Sequence, residues 1–261
     1  MSATLADARL TFGHAVRAEA LKLTTVRGMW WVAVASIALS LMMVATSSRA
    51  LPEPGNELDW TMASIASAIV TAWVIVSVFA ALQATGEWTS GMYRVSFAVV
   101  PRRSLWLAAK ATVLGIYAGV VSIVVVAAST AIMLARHGSD GAVVDLGAAR
   151  TWEVFLGVPA VCIATAVMAV GIGALVRSSG VAVTVVVALL VVLPFAGMFG
   201  LDWLAHLTSY LPSGAGDSIV RSGAFGVTAD DLGVVLGSVV MLAWAAGACL
   251  LAAFAMNRRD A

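Results

Sequence analysis

The chain has 261 residues, of which 61% are hydrophobic and only 11% charged, and its mean hydropathy is +0.99. Soluble domains carry about 25% charged residues, so this composition excludes an ordinary water-facing globule and implies an integral membrane protein. The net charge of +1 excludes nothing by itself, whereas the placement of the charges along the chain is informative.

The first 28 residues form a basic leader carrying Arg9, Arg17, Lys22 and Arg27. Phe12, Val16 and Leu23 fall on one side of a helix, with Glu19 intruding on the stripe, which predicts an amphipathic helix lying along a membrane surface. A cleaved signal is the competing reading. The leader is long for that, and no small-residue cleavage site follows the apolar run 29–45, so the run is read as a membrane helix.

Six apolar spans follow, each near the roughly 20 residues needed to cross about 30 Å of hydrocarbon. They are 29–46, 61–83, 105–134, 154–176, 179–200 and 232–256, and together they make one transmembrane domain, 29–256, with a short tail at 257–261. The expected fold class is all-α. Lys110, early in the third span, is placed to snorkel back to the interface. Arg177–Ser179 is too short for more than a tight hairpin between spans four and five, and Pro194 is expected to kink or end span five. The stretch 201–231 is apolar at Trp203, Leu204, Leu207, Tyr210 and Leu211, then broken by Pro212, Gly214 and Gly216. It predicts a re-entrant or surface helix pair backed against protein.

Alternating the segments between spans puts Arg9, Arg17, Lys22, Arg27, Arg94, Arg102, Arg103, Lys110, Arg177, Arg258 and Arg259 on one side. Only Arg49, Arg136, Arg150 and Arg221 fall on the other. By the positive-inside rule both termini are cytoplasmic. Seven of the tryptophans (30, 31, 60, 88, 106, 152 and 203) lie near span ends, where the ring suits the interface, and Trp73 and Trp244 lie mid-span. The mid-span pair reads either as packing or as lining of a substrate path.

No ionisable residue sits at the centre of a span, which argues against a proton-driven pump or a voltage sensor. His14, His137 and His206 lie at or outside the interface, and Cys162 and Cys249 are isolated in apolar runs. No metal or haem site is expected. The only lysines, Lys22 and Lys110, are preceded by leucine and alanine, so no phosphate-cradling loop exists here. If ATP drives the protein, another chain hydrolyses it. Gly115-x-x-x-Gly119 and Gly233-x-x-x-Gly237 match the small-residue helix-packing pattern, within the chain or at a dimer interface.

The longest polar interruption on the inferred cytoplasmic side is 84–110. It carries Gly86-Glu87, Gly91-x-x-Arg94, Ala98-x-x-Pro101-x-Arg103 and Ala109-Lys110. With Lys22-Leu23-x-x-x-Arg27-x-x-Trp30-Trp31 before the first span and Leu211-Pro212-Ser213-x-Ala215-Gly216 before the last, the chain resembles the permeases of the ABC type 2, exporter-like transporter family. Met92 stands where a small hydroxyl residue is more usual in that family. The resemblance implies a permease subunit that does not itself catalyse, in a cell (cytoplasmic or inner) membrane. It implies two copies of a separate ATPase carrying ATP and Mg, a second permease copy or a related permease, and lipid neighbours, with no nucleic acid. It further implies a coupling helix within 87–99, in the loop 84–104. The ATPase-facing candidates are Glu87, Trp88, Met92, Tyr93, Arg94, Phe97, Arg102 and Arg103. The apolar and aromatic members suit an interface core, and the arginines suit acidic groups or lipid phosphates. Glu87, a lone acid among cations, has a second reading as the partner of a leader cation. By the same analogy spans two and five line the substrate path, with Trp73, Phe79, Phe195 and Met198 as candidates for an amphipathic or lipophilic substrate. Two other classes stand against this reading. One is a membrane enzyme on lipid-linked substrates, with Asp140, Asp145 and Glu153 as its nearest acidic group. The other is a non-transporting scaffold or sensor that binds an ATPase.

Overall fold

In hydrocarbon a backbone N–H or C=O finds no water, and a single chain satisfies both within the segment only by becoming helical. The computed structural model follows this rule. It describes residues 11–47, 54–93, 95–96, 102–139, 141–196, 202–221 and 232–259, and contains no strand among them. The candidates Arg94, Phe97 and Met198 lie outside the described residues. In chain order the helices are α1 (Phe12–Thr25), α2 (Arg27–Ser47), α3 (Glu57–Thr89), α4 (Arg103–His137) and α5 (Ala149–Val176). Then comes α6, built of an α-helical Ser179–Val187, a π-helical Ala188–Val192 and an α-helical Leu193–Ala196. It is followed by α7 (Asp202–Ser209), α8 (Pro212–Val220) and α9 (Gly233–Arg259). Five of these, α2, α3, α4, α5 and α9, are long and apolar enough to cross a membrane. The protein is an all-α, multi-pass membrane protein. The apolar stretch Ser179–Phe195 of α6 is shorter than those five.

Several helix ends differ from the apolar runs, for physical reasons. α3 continues six residues past Gln83, because its polar last turn has no proline and finds partners for Thr85 and Glu87. It stops at Ser90, and Gly91 beyond it takes a left-handed φ of 73°, the usual place for a glycine at a helix C-terminus. At 33 and 35 residues, α3 and α4 are each about 50 Å long at 1.5 Å per residue, so they outreach a hydrocarbon core of about 30 Å. One extended residue, Val26, separates α1 from α2. Pro194 does not end α6. Proline has no N–H to give to the carbonyl four residues back, and the helix meets it with the π segment that immediately precedes Leu193. The Leu189 carbonyl in that segment accepts from Ser213 Oγ of α8 at 3.4 Å.

α5 occupies the middle of the bundle and packs on α3, α4 and α9. Glycine allows the close approaches. A Cβ at Gly171 would stand 2.6 Å from the Ala248 carbonyl carbon of α9, and one at Gly173 would stand 2.8 Å from the Ala81 oxygen of α3. The Gly115/Gly119 pair faces Ile163 of α5; of the second pair only Gly237 makes a close approach, against the Ala215 carbonyl of α8, whereas a Cβ at Gly233 would meet nothing within 4 Å. α8 is buried along one side and packs on α5 and α9. Its Gly216 lies against the Trp73 ring.

Inserting a methyl against immovable backbone costs about 1–3 kcal/mol. Gly171→Ala and Gly173→Ala are each expected to destabilise the protein by about that much. Gly247→Ala on α9, where a Cβ meets nothing within 4 Å, should be neutral or slightly stabilising. Thermal unfolding in one mild detergent checks this, and equal melting temperatures for the three variants would contradict the close-approach account.

Candidate functional site

Where the apolar run of α3 ends, its last turn sits beside α1 and the second turn of α4. Four charged groups meet there. Lys22 Nζ donates to Glu19 Oε1 at 2.6 Å and to Glu87 Oε1 at 3.1 Å. Lys110 Nζ lies 2.7 Å from Glu19 Oε2 and 2.8 Å from Glu87 Oε1. Ser96 Oγ donates to Glu87 Oε2 at 2.9 Å and accepts from Lys22 at 3.3 Å. The two carboxylates and Lys110 are almost wholly removed from water, whereas the Lys22 side chain keeps 35% exposure. Lys110 also stands 5.3 Å from the centre of the buried Trp106 ring.

The set is neutral as a whole, with two anions, two cations and a hydroxyl that bridges. That balance is what allows it to be buried, since one unpaired ion there would carry its full desolvation cost. It also corrects the expectation for Lys110. The ammonium does not snorkel out to the interface, because Glu19 and Glu87 bring counter-charges to it. Glu19, which breaks the apolar stripe of the leader, is buried for the same reason. Lys22 has its pKa held above the usual lysine value. Burial alone would lower it, but the hydrogen bond and charge of Glu19, followed by Glu87, outweigh that. The stability contributed by Lys22 is therefore complete below the ordinary lysine pKa and is lost only as pH rises through the raised one.

The next residue along α3 faces another way. Trp88 stacks on Tyr93 with ring centres 4.5 Å apart, and the Arg177 guanidinium lies 4.0 Å over the Trp88 ring. Arg177 ends α5 in a left-handed conformation, φ 59°, with its N–H bonded to the Gly173 carbonyl. Thr85 and Ser179 share a 2.8 Å hydroxyl–hydroxyl hydrogen bond one turn away. The last turn of α3 is thereby joined to α1 and α4 on one side and to the α5–α6 hairpin on the other.

The remaining candidates divide. Met92 is exposed and lines the cavity beside the charged cluster. Arg102 is exposed at the start of α4. Arg103 turns inward and donates to the Met256 carbonyl at 2.7 Å, near the end of α9, where helix carbonyls lack partners and a cation is favoured. Trp73 and Phe79 are buried within the bundle, Phe79 against Tyr117, whereas Phe195 is exposed at the end of α6. None of these three lines the apolar cleft, of about 580 Å³, that α5, α6 and α9 form around Leu189, Tyr210 and Trp244.

A second charged cluster marks the opposite end and was not legible in the sequence. Buried Arg150 pairs with Asp59 at 3.2 Å and Glu153 at 3.4 Å, and donates to the Val220 and Arg221 carbonyls at the end of α8. Arg221, itself left-handed at φ 48°, also pairs with Glu153. Of the outer acids considered for an enzyme, Glu153 is thus held by arginines. Asp145 accepts from Gly147 in its own turn at 2.8 Å, and Asp140 lies outside the described residues. The only sequence signal was an arginine on a side otherwise dominated by acids.

No protein-family model matches the chain, and no curated protein matches it.

Removing one member of the inner cluster leaves an uncompensated charge. Lys110→Met and Glu87→Gln are each expected to destabilise by about 3–5 kcal/mol. The double variant, which removes one charge of each sign, should lose markedly less than the two single losses combined. A double-mutant cycle on detergent unfolding measures this, and simple additivity would mean the four groups do not act as a unit.

Proposed function

We propose that this chain is the membrane-embedded permease subunit of an ATP-driven transporter of the ABC type 2, exporter-like kind, moving an amphipathic or lipophilic substrate. In this reading α6 is the fifth of six spans, both termini are cytoplasmic, and the protein resides in the cell membrane. Two permease copies, or this chain and a related one, pair with two copies of a soluble ATPase that carries ATP and Mg. The charge asymmetry, the family-like motifs of 84–110 and the lack of a phosphate-binding loop in this chain support that assignment.

The observation that carries the reading is the position of Glu87 and Trp88. They sit where α3 leads into the polar stretch proposed to dock on the ATPase, and their side chains engage α1, α4 and the α5–α6 turn. A displacement of that stretch would reach four further helices as a rigid-body movement rather than be absorbed locally, which is what transmission of an ATPase stroke demands. Met92, Val95 and Arg102 are among the exposed described residues there and would meet the partner. Trp88 and Arg103 act within the chain and would support the surface from behind.

The test is co-purification from native membranes in mild detergent. A soluble ATPase with a phosphate-binding loop is expected to accompany the chain. Met92→Asp with Arg102→Glu should reduce its recovery at least about tenfold, equivalent to roughly 1.4 kcal/mol of binding, without changing the melting temperature of the permease. Recovery of the chain without any ATPase, under conditions that retain other peripheral subunits, would sink the proposal.

A further inference from the structure

We propose that the cavity beside the inner charge cluster holds the headgroup of an ethanolamine phospholipid, with the first acyl carbons along its apolar wall. This rests on the chain being a membrane protein and is independent of the transporter reading. The cavity, of about 260 Å³, lies between α1, α3 and α4. Glu19, Lys22, Glu87 and Lys110 form its charged lining, and Leu23 and Leu114 are among its apolar lining. It lies at the level where the apolar runs give way to polar residues, which is where headgroups reside.

The charges select the ligand. An anion alone would draw on the two lysines and leave Glu19 and Glu87 underpaired, and a cation alone would do the reverse. Either strands a desolvated charge. A zwitterion exchanges pair for pair, its phosphate meeting Lys22, the most exposed of the four, and its cation meeting the carboxylates. That cation must also donate hydrogen bonds. Glu19 and Glu87 already take N–H groups from Lys22 and Lys110, and Glu87 Oε2 takes the Ser96 hydroxyl, so every polar contact these carboxylates make among the described residues is with a hydrogen-bond donor. A primary ammonium has three N–H groups to offer, and a trimethylammonium has none. Ethanolamine is therefore preferred over choline, and both over glycerol headgroups.

The experiment uses the full chain, delipidated in non-ionic detergent, and follows its melting temperature. Ethanolamine, choline and glycerol phospholipids with identical acyl chains are added separately, as is soluble phosphoethanolamine. The ethanolamine lipid is expected to stabilise at a concentration on the order of tenfold lower than the others, with no matching effect from soluble phosphoethanolamine. A Cβ at Gly86, on the cavity wall, meets no atom within 4 Å. Gly86→Leu should therefore grow into the cavity, leave the ion pairs intact and abolish the preference. Should Gly86→Leu not fold, Lys110→Met with Glu87→Gln provides the same readout. Equal stabilisation by all three lipids, equal stabilisation by the soluble headgroup, or an undiminished ethanolamine preference in the variant would each overturn the proposal.

Discussion

Helices that are apolar all round gain little by exchanging lipid for one another, so what holds them together is how closely their backbones approach. That constraint explains the position of α5. It carries Gly171 against the backbone of α9 and Gly173 against that of α3, two residues apart. It also receives the Gly115/Gly119 face of α4 through Ile163. A helix with such contacts on three sides belongs in the middle, and the other elements arrange themselves around it. Apolarity makes each helix, and small residues decide which helix touches which.

The two ends of the bundle meet a different constraint. There the chain must return to water, and side chains of opposite sign tie together elements distant in sequence. At one end two lysines and two glutamates hold the leader helix to α3 and α4. At the other, Arg150 draws α3, α5 and the end of α8 together. Both clusters use charges that would be costly to bury singly, and each compensates them with partners from other helices. Their arrangement fixes how segments meet, which hydrophobic contact alone specifies weakly.

The sequence made the apolar runs legible because a membrane helix announces itself by length and composition. It did not mark where helicity stops, since a polar turn stays helical whenever its groups find partners, as Thr85 and Glu87 do beyond Gln83. A leader cation as a partner for Glu87 could be inferred from the scarcity of acids on that side. Lys110 was misread because interfacial snorkelling is the default for an isolated lysine, and nothing in its own neighbourhood announces that Glu19, 91 residues away, reaches it. The Arg150 cluster was missed for the same reason. Its partners come from three segments, and the carbonyls at the end of α8 leave no trace in composition. Arg103 looked like a surface cation, although it closes the end of α9.

The π segment of α6 has a consequence for which way its residues point. Such a segment amounts to one residue taken into an α-helix without breaking it, and every side chain beyond is turned by about 100° relative to a regular helix. Ser179–Val187 and Leu193–Ala196 therefore belong to one rod but to two angular phases. The outward direction of Phe195 is set by that insertion as much as by its distance from Ser179. Deleting a single residue from Ala188–Val192 would straighten the register and swing the proline and the phenylalanine together to another side of the helix.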